Sequence, residues 1–193
     1  MEETVVKRQP GDAGSKSGQR TAHKDLRGFL AAIEASGDLI KIDDQVDWDQ
    51  ELAGIGRLGC ERNGPAFQFN NIKDYAGWHI VANAVGDWRR YAMAIGLPAD
   101  TPVRRLYEIY AEREQQAIAP VVVAGSACKE VVIPGDKVDL FELPVPMVHE
   151  GDGGRYLGTW DLVVSKDADS DWVNWGMFRF MVHKERLLSG YPR

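Results

Sequence analysis

The sequence predicts an α/β (α+β) protein, an N-terminal α/β layer followed by a mostly β segment. Three observations carry this. From Asp25 to about residue 119, stretches with apolar residues at helical spacing alternate with short apolar strands. After Pro120 the texture turns to β, with Val-rich runs separated by Gly, Pro and Asp turns. The 193 residues also suffice for one good-sized core, or for a small domain plus part of another. The resulting division is a disordered tail at 1–24, an α/β domain at 25–119 and a β segment at 120–193.

The tail is assigned from Met1 to Thr21, which is rich in Gly, Lys, Gln and Ser and nearly free of large apolar residues after Val6. Asp25 is an N-cap candidate for a helix in which Leu26, Phe29, Leu30 and Ile33 share a face, and Gly37 ends it. Leu39–Ile42 reads as a strand. Asp49–Arg62 reads as a second helix, with Leu52, Ile55 and Leu58 inward and Gly54, Gly56 and Gly59 weakening it. Gly64-Pro65 marks a turn, and Ala66–Phe69 and His79–Asn83 follow as strands. Trp88–Leu97 and Val103–Gln116 are helical, the latter preceded by Thr101-Pro102 as an Ncap–N1 pair. In the last part, Val121–Val123, Lys129–Ile133, Leu162–Val164 and Trp175–Val182 read as strands.

Composition excludes several classes of function. The net charge of −6 argues against nucleic acid and against an anionic membrane surface, both of which need a basic face. No apolar run approaches a membrane span, and the N-terminus lacks the apolar core of a secretory signal. Cys60 and Cys128 form no metal or redox motif, so a reduced, cytoplasmic protein is expected.

Four constellations could carry chemistry. Gly151-Asp152-Gly153-Gly154-Arg155-Tyr156 reads either as a turn presenting N–H groups to an anion or as a flexible hairpin entry. It has neither the Walker nor the Rossmann spacing. Asn174 and Arg179 form the second. An asparagine can offer a carbonyl to a metal and an amide to a phosphate, and the arginine fork fits a carboxylate. On a strand Arg179 shares a face with Trp175, Met177 and Met181, where a charge needs a partner or a ligand. Asn174 falls on the opposite face. Both serve one pocket only if Gly176 bulges or Asn174 lies in the preceding turn. His149-Glu150-Gly151-Asp152 reads as a solvated acidic turn rather than a metal cluster. His183-Lys184-Glu185-Arg186 reads as a hairpin turn.

In order along the chain, Asp25–Leu30 with Gly37-Asp38-Leu39, Gly64–Phe69, Asn83 with Arg89-Arg90, Leu143–Pro146, Asp152–Tyr156 and Asn174–Arg179 together resemble the UbiD family of decarboxylases. That family includes the ferulic acid decarboxylases and uses prenylated FMN. The resemblance covers Asp25 to Arg193 and implies that the β segment begins a split barrel of flavin-reductase type.

It further implies roles for single residues. Asn174 would help hold a divalent ion, usually manganese (Mn2+), bridging to the cofactor phosphate. Trp172 would offer its backbone carbonyl to a monovalent cation (K+). Trp175, Gly176, Met177 and Phe178 would run along the flavin, Thr159 would lie near the substrate pocket, and Arg179 would be the catalytic arginine of a Glu-Arg-Glu network. The implied reaction removes CO2 from an aromatic or α,β-unsaturated carboxylic acid through an adduct with the cofactor, and could run in reverse. Loss of CO2 from an sp² carbon needs such an electron sink. The network glutamates and the histidine and acidic metal ligands of the family fall after Arg193, which leaves Arg179 an unpaired charge among aromatics. The expectation is therefore the N-terminal portion of a decarboxylase, or alternatively a split or non-catalytic subunit that binds a chain carrying those residues. A homo-oligomer at full length and a flavin prenyltransferase as cofactor supplier complete what the resemblance implies.

Overall fold

The structure, a computed structural model, describes residues 23–116, 118–119, 121–158 and 161–190. The expected tail lies outside the described residues apart from His23 and Lys24. Helix α1 (Leu26–Ala35) starts where Asp25 predicts, its carboxylate accepting the Gly28 N–H at 2.9 Å. It ends at Gly37, whose φ of +78° lets Asp38 N–H return to the Ile33 carbonyl.

Strand β1 (Leu39–Ile42) then pairs in parallel with β2 (Ala66–Phe69), in register from Leu39↔Ala66 to Ile42↔Phe69. The crossover between them carries α2 (Glu51–Glu61). Strand β3 (Ile80–Ala82) adds to β2 antiparallel and completes the sheet β1-β2-β3. Side-chain alternation along β2 divides the core into two layers. Ala66 meets Phe29 and Ile33 of α1, while Phe69 faces α2 and packs with Val46, Leu52 and Ile72. Gly59 is needed on the α2 side, because a Cβ there would lie 2.2 Å from a ring carbon of Phe67.

Helix α3 (Trp88–Ala94) is capped by Asp87, which accepts the Arg90 N–H at 2.9 Å. Helix α4 (Val103–Glu114) begins at Val103 as predicted and ends two residues early, but Pro102 rather than Thr101 is its N-cap, and the Thr101 hydroxyl instead donates to the Pro98 carbonyl. None of the described helices is long and apolar enough to cross a membrane.

The last part differs more from expectation. Val121–Val123 and Lys129–Ile133 form no strand. Val122 is 97% exposed, and Ala127–Lys129 is a 3₁₀ turn. A β-branched run becomes a strand only against a partner and a packing surface, and neither is present there. The chain then crosses back over the α/β layer, with Met147 N–H bonded to the Trp48 carbonyl and Gln50 N–H to the Met147 carbonyl.

Strand β4 (Tyr156–Leu157) follows. Strands β5 (Val163–Lys166) and β6 (Val173–Gly176) form a separate antiparallel hairpin. Strands β7 (Phe180–Lys184) and β8 (Leu187–Ser189) form the sheet β4-β7-β8. The single strand predicted at Trp175–Val182 is thus two, in different sheets, broken at Met177–Arg179. The mixed α/β class stands.

Candidate functional site

The Gly-rich turn is fixed rather than loose. Asp152 N–H bonds the His149 carbonyl at 3.0 Å, and a Cβ on Gly154 would come within 3.3 Å of Met181. Arg155 fastens the turn to the rest of the molecule. Its Nε donates to the Val145 carbonyl at 2.5 Å, and its Nη2 to the Tyr75 hydroxyl at 2.6 Å and the Leu143 carbonyl at 3.3 Å. Its guanidinium lies 4.2 Å from the centroid of Trp48, with Tyr75 and Phe141 flanking it. The Val182 N–H donates to the Arg155 carbonyl, aligning the turn with β7.

That alignment brings Arg179 to the turn. Its Nη2 donates to Asp152 Oδ2 at 3.0 Å, and its guanidinium sits 4.0 Å from the ring centroid of Tyr156. The expected unpaired charge among aromatics is therefore corrected: an acid contributed from 27 positions earlier neutralises it. Asp152 is 15% exposed and Arg179 40% exposed, so the acid is largely covered while the guanidinium remains reachable. Sequence reasoning missed Asp152 because no local pattern joins it to Arg179; only the β4–β7 register Tyr156↔Met181 brings the two together.

Trp175 and Met177 are exposed, 63% and 68%, in alternation with half-buried Asn174, Gly176 and Phe178. Phe178 folds back over Gly176, where a Cβ would lie 2.5 Å from its ring. Asn174 lies in β6 opposite Ser165, not in the preceding turn. The break at Met177–Arg179, rather than a bulge at Gly176, is what separates its surroundings from those of Arg179.

Trp172 sits at the end of the β5–β6 turn, and its carbonyl accepts the Asp167 N–H at 3.0 Å. Asp167 shapes this turn. The Ser170 hydroxyl, and then the Asp169 N–H, hold its carboxyl below the usual carboxylate range. Thr159 lies outside the described residues. Among the described residues no group of three His, Cys, Asp or Glu side chains is placed to hold a metal; His149 to Asp152 form a turn, but Asp152 is covered and paired with Arg179 rather than solvated.

A cavity of about 800 Å³ lies elsewhere, between α1, α2 and β3. It is lined mainly by apolar groups such as Phe29, Leu52, Ala82 and Val148, with His23, Asp25 and Cys60 as its ionisable lining residues. The residues singled out from the sequence lie on separate pieces, Asn174 and Trp175 in the β5–β6 hairpin and Arg179 beside the Gly-rich turn.

Comparison with known proteins follows the same order along the chain. The description of the 3-octaprenyl-4-hydroxybenzoate carboxy-lyase N-terminal domain (UbiD_N) matches residues 30–110. That of the carboxy-lyase Rift-related domain (UbiD) matches residues 97–190. A phenolic acid decarboxylase of Escherichia coli O157:H7 is 35% identical over 181 residues, which cover 89% of this chain and 38% of the relative. The vanillic acid decarboxylase of Sedimentibacter hydroxybenzoicus in closed form is 33% identical with a TM-score of 0.77, over 84% of this chain and 36% of the other. An evolved dimeric form of the UbiD-class enzyme HmfF from Pelotomaculum thermopropionicum, in complex with prFMN, is 27% identical with a TM-score of 0.76, over 87% and 38%. The chain thus spans somewhat more than a third of the length of these relatives. With its two UbiD matches running nearly end to end, the chain belongs to the UbiD family.

Proposed function

We propose that this chain forms one wall of a prenylated-FMN site in a decarboxylase that removes CO2 from an aromatic or α,β-unsaturated carboxylic acid, and that can also run as a carboxylase. The observation that carries the reading is the exposed row Trp175, Met177 and Arg179: an apolar surface ending in a reachable cation, within the stretch that matches the family. Such a surface suits a flat cofactor beside a carboxylate.

When bound, the cofactor supplies the electron sink for the pair left as the C–CO2 bond breaks. The chain's own residues bind and orient. Trp175, Gly176, Met177 and Phe178 run along the flavin. Asp152 takes one of the five guanidinium donors of Arg179, and two of the others would grip the substrate carboxylate as a fork. Holding that carboxylate in a reactive pose is the catalytic contribution of Arg179. Thr159, outside the described residues, is proposed as a substrate-pocket residue on the family resemblance alone.

Asn174 is proposed as a ligand of Mn2+ and the Trp172 carbonyl as a ligand of K+. These two residues do not by themselves fit a metal, since a divalent ion takes about six oxygens and Asn174 offers one. The alternative reading is a non-catalytic or split subunit that binds a partner chain carrying the remaining catalytic residues. We place residues 120–193 as the first part of a split-barrel cofactor domain following an α/β domain at 25–119. We place the protein in the cytoplasm as a homo-oligomer at full length, receiving its cofactor from a flavin prenyltransferase.

The test is co-expression with a flavin prenyltransferase, followed by flavin absorbance and CO2 release over a panel of cinnamate, ferulate, vanillate and furoate. The Arg179→Ala variant should lose decarboxylation while keeping most of the flavin absorbance. The Asn174→Ala variant should lose flavin and manganese. Turnover unchanged by Arg179→Ala removes that residue from the mechanism. Sequencing past codon 193 for a histidine and three glutamates separates the one-chain arrangement from the two-chain one.

A further inference from the structure

We infer that Asp152 is a positioning residue for Arg179, a role that rests on the reading of Arg179 as the substrate-carboxylate group. Four observations carry the inference. The Asp152 carboxylate meets Arg179 Nη2 at 3.0 Å and is far more covered than its partner, 15% against 40% exposed. The acid is thus the fixed member of the pair and the guanidinium the presented one. The guanidinium carbon also stands 4.0 Å from the ring centroid of Tyr156, so that ring serves as its floor.

The turn bearing Asp152 has little freedom of its own. Gly153 and Gly154 lie so close to Met181 that an added Cβ would stand 3.3–3.4 Å from its side chain. Arg155, the next residue but one after Gly153, is tied to the Val145 and Leu143 carbonyls and the Tyr75 hydroxyl. Arg179, by contrast, emerges from the segment between β6 and β7 that belongs to neither sheet. A long side chain leaving an unpaired segment loses rotamer freedom only if something holds its head. Asp152 and Tyr156 hold it from the one rigid element nearby. Asp152 would therefore set where the carboxylate-binding donors point, without itself touching the substrate.

The experiment reads position and function separately. The ring current of Tyr156 shifts the side-chain Hε and Hδ resonances of Arg179 upfield in the NMR spectrum of the protein. With Asp152→Asn, which keeps shape but removes the charge, these resonances should return most of the way to random-coil values, and Asp152→Glu should restore part of the shift. In the cofactor-loaded enzyme, Asp152→Asn should raise KM for a cinnamate-type acid about tenfold or more. The flavin spectrum should be unchanged, and Asp152→Glu should recover part of the loss. Arg179 resonances that stay upfield in Asp152→Asn would overturn the inference, whatever turnover does. Shifted resonances with an unchanged KM would overturn it as well. Absence of decarboxylation in the loaded wild-type protein defeats the functional reading instead, and leaves the NMR arm to decide whether Asp152 positions Arg179.

Discussion

Replacing Arg90 by methionine should be among the costliest single changes in the α/β layer. Arg90 is fully buried, with Nη1 2.9 Å from Asp38 and Nη2 donating to the Gly64 carbonyl at 3.0 Å. Asp87, 3.5 Å away, shares the charge and caps α3. One side chain therefore ties the α1–β1 turn, the turn before β2 and the start of α3. Arg90→Met preserves most of the volume but leaves two acids, 16% and 12% exposed, with only the surface arginine Arg89 near them. Breaking a buried pair from one side costs about 3–5 kcal/mol. Two features favour the lower end, about 3 kcal/mol. Arg89 still screens the acids, and the native Arg90 Nε already lacks a partner, a penalty that the substitution removes. With a urea slope of about 1–3 kcal/mol/M, the unfolding midpoint should fall by about 1–3 M. The assay is urea denaturation followed by tryptophan fluorescence, with the slope fitted for each variant. Arg90→Lys should recover less than half, because a point charge cannot bond Asp38 and the Gly64 carbonyl in one planar fork. A midpoint within about 0.3 M of wild type for Arg90→Met would refute the reasoning.

Four further changes test the packing of α2, the charge at the α3 cap and the Arg155 link. Gly59→Ala should destabilise by about 1–3 kcal/mol, since its Cβ would collide with Phe67. Gly54→Ala, in the same helix with open space around it, should instead stabilise by about 0.5–1 kcal/mol. Equal midpoints for the two variants would sink the packing argument. Burial pushes the Asp87 carboxyl up, but the Arg90 N–H and the charges of Arg90 and Arg89 outweigh it and hold it below the ordinary value. A depressed folded pKa gives stability that is complete above the unfolded value near 4 and is lost as pH falls through the folded one. The difference in melting temperature between wild type and Asp87→Asn should therefore be constant from pH 5 to 8 and shrink below about pH 4; a constant difference down to pH 2 would contradict the assignment. Arg155→Ala should cost about 2–4 kcal/mol through lost charged hydrogen bonds and ring contacts, and a loss under about 0.5 kcal/mol in urea denaturation would show that the cage is ornamental.

What was legible in the sequence was local. Asp25 announced α1 because cap and apolar period lie within one helical turn of each other, and Ala66–Phe69 alternated as a strand does. Asn174 to Arg179 stands out in the sequence as a candidate site because Asn, Trp and Arg at that spacing fall beside other family motifs, and its role stays a proposal. The strands assigned at 121–133 failed because valine content reports a preference for a packing surface, and cannot report whether one exists. The single strand at 175–182 failed for a related reason. Nothing local marks the point where Gly176 ends its pairing with Val163 and Phe180 takes up another with Leu157. The partners of Arg90, Arg155 and Arg179 were equally hidden, since each is set by strand register or by a turn far away in the sequence.

The two arginines flanking β4 and β7 show what separates a structural cation from an available one. Both lie against aromatic rings, so the surroundings alone do not distinguish them. Arg155 spends its donors on two backbone carbonyls and a tyrosine hydroxyl, all on fixed elements, and a ligand could reach it only by dismantling the link to the α/β layer. Arg179 is bound by a single carboxylate at one nitrogen and stays 40% exposed. A second carboxylate can therefore be taken up without unfolding anything. That difference in exchange cost, rather than charge or neighbourhood, is why the functional reading falls on Arg179. On the positioning proposal for Asp152, one covered acid would keep the guanidinium ordered and neutralised before a ligand arrives, so the proposed wall would stand ready as a surface and need not form at the moment of binding.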